Sequence, residues 1–375
     1  MPALRLLIVG NDLGYFISHR LPLARSAIAA GYDVHVAIPY TTDAQLPPLD
    51  GAAFHQIELQ RNSLSLMQDL RTLLSLRRLV RALQPDIVHN FTLKPVLYGG
   101  SVARLAEVPL VINAVTGLGS LFGEQTPKMR RLRRLVLPGL RYACGSRRVR
   151  TVFQNYDDQA EFVAAGVCSL SNSVVIRGSG VDTAVFLPAA EPDGQPVVIC
   201  PSRMLWEKGV GEFVDAARRL KAQGCSARFA LVGATDSNPS SVSEVQLKQW
   251  EAEGIVEWWG RRNDMPEVFR LANLVCLPSR YREGVPKVLI EAASCGRAIV
   301  TTDMPGCREI VLDGENGLLV PPGNVARLAE ALRRLIEQPA LRRQMGDRGR
   351  ARVVSDFSLE VVLRETLALY ANARS

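Results

Sequence analysis

The chain lacks an apolar run long enough to span a bilayer, paired cysteine spacing and a strong aromatic complement, and each absence removes a class of function. Its 375 residues include seven cysteines, odd in number and scattered, which indicate neither a disulfide framework nor a metal cluster. Aromatic residues make up 6% and no DNA- or RNA-binding motif occurs, so nucleic acid is not an expected partner. The opening Leu4-Arg5-Leu6-Leu7-Ile8-Val9 is too short an apolar core for a secretory signal and reads as a first buried strand, so a cytoplasmic location is expected. The turn after it, Gly10-Asn11-Asp12-Leu13-Gly14, is not a Gly-x-Gly-x-x-Gly loop, which disfavours NAD.

What is present describes a compact protein: 47% hydrophobic and 22% charged residues, in a chain long enough for two cores. Strand-like and helix-like segments alternate throughout, which predicts an α/β fold with parallel sheets and right-handed crossovers. Strands are expected at 4–9, 33–38, 86–90, 110–114 and 151–154 in the first half. In the second half they are expected at 197–200, 228–232, 256–259, 274–277 and 298–302. A polar Pro/Gly-containing stretch at 186–194 reads as a linker. The expected architecture is two Rossmann-like domains facing across a cleft, over 1–187 and 188–357.

Two stretches carry the chemistry. In Glu283-Gly284-Val285-Pro286-Lys287-Val288-Leu289-Ile290-Glu291, Gly284 and Pro286 belong to a turn, and 287–295 reads as a helix with Pro286 suited to its first position. Glu283 then sits on a loop at the helix mouth and Glu291 about two turns inside. Unpaired N–H groups and the positive dipole end at such a mouth suit an anion, and a carboxylate there can accept bonds from sugar hydroxyls. Upstream, the apolar run 196–201 leads into a loop bearing Arg203 and Lys208, with a helix beginning near Val210. Two cations at a strand–loop–helix junction suit a diphosphate.

With Pro278-Ser279, Gly296-Arg297-Ala298-Ile299-Val300-Thr301-Thr302-Asp303 and Asp313-Gly314-Glu315-Asn316-Gly317-Leu318-Leu319-Val320-Pro321-Pro322-Gly323, these residues resemble the retaining glycosyltransferases of the two-Rossmann (GT-B) type, family 4. The resemblance covers nearly the whole chain and is strongest over 197–324. It implies that Arg203, Lys208 and Glu283 are catalytic, and that Gly14, Gly284, Val285 and Glu291 join them in binding a UDP-sugar donor. Glu283 would hold donor-sugar hydroxyls and Glu291 the ribose. It further implies that a C-terminal helix, 358–375, packs back on the first domain. The chain has no Asp-x-Asp motif of the kind that holds a divalent ion in other transferases, so no metal or other cofactor is expected.

On the acceptor side the candidates are His19, Thr92, Lys94, Thr116 and Gly117. Many family members carry a His-Gly pair where this chain has Thr116-Gly117, which leaves the acceptor-side base unassigned. The segments 116–122, 203–210 and 236–240 resemble the bacterial subgroup that extends undecaprenyl-diphosphate-linked amino sugars in N-glycan, O-antigen or capsule assembly. UDP-GalNAc is the first-choice donor from that likeness. The formal charge of +8 is concentrated, with nine basic and no acidic residues over 128–150 and a further Arg/Leu stretch at 71–81. Arg130, Arg131, Arg133 and Arg134 are expected to meet the anionic inner face of the cytoplasmic membrane as a peripheral surface. The alternatives are a UDP-sugar epimerase on the same fold, which would need its own acid/base carboxylates, and an inactive membrane-associated scaffold.

Overall fold

The computed structural model describes residues 3–41, 43–60, 65–123, 126–371 and 373. They form two compact units, one of residues 1–179 with 362–375 and one of residues 180–361.

Unit 1 runs β1 (Arg5–Val9), α1 (Leu13–His19), α2 (Leu21–Ala29), β2 (Asp33–Ile38), β3 (Ala52–Gln56), α3 (Leu66–Leu83), β4 (Ile87–Phe91), α4 (Leu93–Leu105), β5 (Leu110–Val115), α5 (Gly119–Gly123), α6 (Pro127–Cys144), β6 (Val149–Phe153), α7 (Tyr156–Ala164) and β7 (Ser173–Val175). Its seven strands are parallel, in the order β3-β2-β1-β4-β5-β6-β7. The central strands are buried on both faces and largely apolar, with His89, Asn90 and Asn113 as buried polar exceptions. In β1, Leu6 and Ile8 enter a core with α2, and Leu7 and Val9 enter one with α3 and α4.

Unit 2 runs β8 (Val197–Pro201), α8 (Val210–Ala222), β9 (Arg228–Val232), α9 (Glu244–Ala252), β10 (Glu257–Trp258), α10 (Met265–Arg270), β11 (Leu274–Leu277), α11 (Lys287–Ser294), β12 (Ala298–Thr302), α12 (Pro305–Ile310), β13 (Gly317–Val320), α13 (Val325–Glu337) and α14 (Pro339–Arg352). Its six strands are parallel, in the order β10-β9-β8-β11-β12-β13. Val198 and Cys200 face the α8/α13 side, while Val197 and Ile199 face the α10/α11 side. The last helix, α15 (Leu359–Ala371), contributes Val362 and Tyr370 to the core of unit 1.

Every expected strand is present, with ends shifted by up to two residues, and three strands were not anticipated. β3, β7 and β13 are edge strands of three to five residues. β3 and β7 are half-exposed and carry no continuous apolar run, and β13 begins on a glycine.

The division at 187/188 needs correction to 179/180, and that at 357/358 to 361/362. The reason is that residues 186–194 are docked into unit 2 and do not hang free. The Phe186 carbonyl accepts from Ser294 Oγ at 2.7 Å and Arg350 Nη1 at 2.9 Å. The Ala190 carbonyl accepts from Arg297 Nη2 at 3.0 Å. Glu191 is held by a two-pronged, nearly buried pair with Arg342, Nη2–Oε2 2.6 Å and Nε–Oε1 3.0 Å. Val181 also bridges Ser358, which draws the start of α15 into unit 2.

Candidate active site

In unit 2, β8 lies between β9 and β11, so the connections leaving β8 and β11 run in opposite directions across the sheet. The carboxyl ends of two such strands leave a crevice between their loops, the usual ligand position in open α/β sheets. The loop after β8 carries Arg203 and Lys208; the loop after β11 carries Ser279 and Glu283 and leads into α11.

The two loops are fastened to one another. Arg280 N donates to the Glu207 carbonyl at 2.8 Å. Gly209 has φ +78°, and a Cβ there would lie 2.0 Å from the Pro278 carbonyl oxygen. Only glycine permits that backbone approach. The result places Lys208 Nζ as a donor to Glu283 Oε2, with Ser279 Oγ donating to Glu283 Oε1 at 3.1 Å. Side-chain exposures of 13% and 17% leave this pair reachable yet poorly screened. Ser279 is fixed in turn, accepting from Tyr281 N at 3.2 Å.

The expected helix is α11, one residue shorter than predicted, with Pro286 at its N-cap and not at its first helical position. Its mouth has no side-chain cap and no acidic residue in the first turn. Lys287 adds positive charge where the dipole is already positive, so an anion is the natural complement. One turn further, Lys287 Nζ lies 3.5 Å from Glu291 Oε1. Burial raises the Glu291 carboxyl to about 7, with Lys287 opposing the rise. A buried carboxylate is a costly feature that donors from a ligand would relieve.

Other expected residues fall differently. Arg203 is on the same loop as Lys208 but is half-exposed and donates from Nη1 to Asp236 Oδ2 at 2.9 Å. Gly284 and Val285 are buried, and the Gly284 carbonyl is packed so closely on Gly306 that a Cβ there would approach to 1.6 Å. Gly14 lies in unit 1, at the start of a helix already capped by Asp12, whose Oδ1 accepts from Tyr15 N at 2.6 Å.

His19 ends α1; its ring stacks on Tyr15 at 4.5 Å and its Nδ1 meets Ser18 Oγ at 2.7 Å. Lys94 reaches the Gln60 carbonyl at 2.9 Å and Asp69 at 3.5 Å, so its charge is engaged within the unit. Thr92 adopts φ +75°, and its buried hydroxyl meets no hydrogen-bond partner among the described residues. Thr116 and Gly117, the latter at φ +127°, form the loop after β5. On α6, Arg130, Arg131 and Arg134 are exposed, whereas Arg133 pairs with Glu161 at 3.3 Å and lies over Phe122. Sequence reasoning quoted Ser279 as a motif residue but gave it no role; its function as the second ligand of Glu283 required the loop geometry.

Fold and site together define a glycosyltransferase of the GT-B class. The match to family models agrees: "Glycosyl transferase 4-like" over residues 5–151 and "Glycosyl transferases group 1" over 185–352. The chain belongs to family 4 of these enzymes.

Among its relatives is the N,N'-diacetylbacillosaminyl-diphospho-undecaprenol α-1,3-N-acetylgalactosaminyltransferase of Campylobacter jejuni, 28% identical with 96% of each chain covered. The capsular polysaccharide glycosyltransferase CapM of Staphylococcus aureus is 23% identical with 94% of each covered. In fold the chain is similar to sucrose-phosphate synthase of Thermosynechococcus elongatus, with a TM-score of 0.80, 18% identity and 98% of each chain covered. HepE of Anabaena, solved with UDP-glucose, gives a TM-score of 0.74 at 19% identity, with 97% of this chain and 99% of that one covered.

Proposed function

We propose that the chain moves a hexosyl group, GalNAc by first choice, from a UDP donor to a hydroxyl of a polyprenyl-diphosphate-linked saccharide, with retention of the α configuration and without a metal. The carrying observation is the Lys208–Glu283–Ser279 cluster beside the uncapped mouth of α11. The departing group is a diphosphate, so catalysis needs cationic and N–H donors aimed at the charge that develops on it. Lys208, Arg203 and the α11 mouth supply these. When donor arrives, Lys208 turns its charge toward the diphosphate and Glu283 accepts bonds from the sugar hydroxyls. Glu291, buried beside Lys287 in the free protein, accepts bonds from the ribose. Same-face attack, with the leaving phosphate taking the acceptor's proton, accounts for retention without a protein nucleophile. The Campylobacter relative's lipid-linked acceptor supports the acceptor class.

A lipid acceptor calls for a membrane surface, and no helix among the described residues is long and apolar enough to cross one. The α3–α4–α6 layer has the composition for peripheral binding. On α3, Met67, Leu70 and Leu74 are 62%, 50% and 41% exposed, beside exposed Arg71, Arg77, Arg78 and Arg81. On α6, Leu135 is 78% exposed among Arg130, Arg131 and Arg134. Apolar side chains that enter the headgroup region beside cations that hold anionic lipid are the requirements for such a face.

The test is thermal stabilisation by UDP-, GDP- and ADP-sugars without added metal, since a ligand of the native state raises apparent stability. A shift confined to UDP compounds and largest with one sugar is expected, followed by transfer of that sugar to a lipid-diphosphate saccharide. No shift with any UDP-sugar overturns the donor assignment.

A further inference from the structure

The free protein keeps both cations of the loop after β8 on carboxylates, and the two carboxylates lie on opposite flanks of that strand. Lys208 meets Glu283 on the β11 flank, where the mouth of α11 also opens. Arg203 leans the other way, to Asp236 on the loop after β9. The second pairing has no part in the transfer proposed above: it draws a phosphate-binding guanidinium to the β9 flank, while the diphosphate would sit on the β11 flank.

The backbone around Arg203 is braced. The β8–β9 ladder continues beyond the strand ends: Ser202 N donates to the Val232 carbonyl at 3.0 Å, Met204 N to the Ala234 carbonyl at 3.1 Å, and Val242 N to the Met204 carbonyl at 2.8 Å. Gly233 permits this approach, since a Cβ there would lie 1.8 Å from the Ser202 carbonyl oxygen. Asp236 is fixed as well. Its Oδ1 accepts from Asn238 N at 2.7 Å, and its own N–H donates to Ser241 Oγ at 3.2 Å. Arg203 is held to it by one bond, from Nη1 to Oδ2 at 2.9 Å, and the two side chains are 50% and 31% exposed. A half-exposed arginine on a braced backbone changes partner by side-chain rotation, without movement of the loop.

We infer that Asp236 is a positioning residue of the donor site: it holds Arg203 in reserve in the empty protein and yields it to the donor diphosphate. This rests on the donor-site reading of unit 2 and adds the group that the diphosphate displaces. A diphosphate offers several anionic oxygens to the guanidinium fork, against the single Asp236 oxygen now engaged, so it wins the exchange. It gains Arg203 only by parting the pair, and its apparent affinity is lowered by the fraction of time Arg203 spends on Asp236. The opposite role, with Asp236 aiming Arg203 at the diphosphate, conflicts with the strand order, which places Asp236 and the α11 mouth on opposite sides of β8. The two roles predict opposite signs.

The experiment measures UDP binding by titration calorimetry at low ionic strength, where exposed pairs are least screened, on wild type, Asp236→Asn, Arg203→Met and the double variant. Asn keeps the Oδ1 acceptor for Asn238 N and replaces Oδ2 by an amide that cannot accept from Arg203. Asp236→Asn should bind UDP about two- to fivefold tighter than wild type, the worth of an exposed ion pair, with KM for the donor lowered by the same factor. In the Arg203→Met background the substitution should leave UDP affinity within about 1.5-fold, because the effect passes through Arg203. Uridine, which has no phosphate for Arg203 to hold, should bind wild type and Asp236→Asn alike. A loop loosened by the substitution would instead weaken both ligands.

Unchanged or weaker UDP binding by Asp236→Asn overturns the inference. An equal gain without Arg203, or with uridine, overturns it too, since Asp236 would then act as a general charge. A crystal structure of the wild-type protein with UDP covers a variant that fails to fold: Arg203 should have left Asp236 for the diphosphate, and an intact Arg203–Asp236 pair beside bound UDP refutes the exchange. Wild-type protein that binds no UDP overturns the donor-site reading itself.

Discussion

Replacing Glu291 by Gln should stabilise the protein at pH 8 while removing the pH dependence of nucleotide binding. The Glu291 carboxyl has an ordinary value of 4.5 and is pushed up to about 7 by burial, net of the attraction of Lys287. The folded state therefore holds a proton that the unfolded chain releases earlier. Below about pH 4.5 both states are protonated and the group is neutral to stability; through the window from 4.5 to 7 stability falls as pH rises, and above 7 the full cost is present. At 1.36 kcal/mol per pH unit of displacement, that cost is about 3 kcal/mol. Gln keeps the shape and cannot ionise. For a unit of this size the gain at pH 8 corresponds to a midpoint increase of roughly 6–12 °C, with under about 0.5 kcal/mol gained at pH 4.5. Melting curves at the two pH values measure it directly. If only the carboxylate accepts the ribose hydroxyls, UDP affinity of wild type should weaken roughly tenfold from pH 8 to pH 6. The Gln variant, which shares the titration of the diphosphate itself, should lack that component. A midpoint gain equal at both pH values, or none at pH 8, refutes the reasoning from burial.

Lys208→Ala should lower turnover at least about a hundredfold, the loss expected for one charge-stabilising donor, with near-normal rates in a steady-state transfer assay removing Lys208 from the site. Arg342→Ala should destabilise unit 2 by about 3–5 kcal/mol in denaturant unfolding, because it strands buried Glu191 without a partner; a cost below about 1 kcal/mol would show that residues 186–194 are not anchored there. Neutralising Arg130, Arg131 and Arg134 together should reduce binding to anionic vesicles in a salt-sensitive manner. Arg133→Gln alone should change vesicle binding little, since that side chain is spent on Glu161 and Phe122; an equal loss in a sedimentation assay would return it to the lipid-facing set.

Much of the architecture was legible in the residues because strands covered on both faces must be largely apolar, as β1, β4, β5, β8, β11 and β12 are. The edge strands β3, β7 and β13 were not, since a short half-exposed strand owes its existence to the neighbour it pairs with. The loop-and-helix form of the donor side followed from the Gly-Val-Pro turn and the apolar spacing after it, which act locally.

Sequence by itself thus determined two parallel α/β units, the Arg203/Lys208 loop, and the Glu283 and Glu291 positions around the start of α11. Tertiary structure decided which charges meet. It pairs Lys208 with Glu283 and Ser279, sends Arg203 to Asp236, and ties up Lys94 and Arg133 on neighbouring elements. It also brings Tyr370 to His89 across 281 residues, which no periodicity records. The physical reason is range: backbone propensity and burial pattern are written in adjacent residues, whereas an ion pair or a buried hydrogen bond depends on which loops the sheet order places side by side.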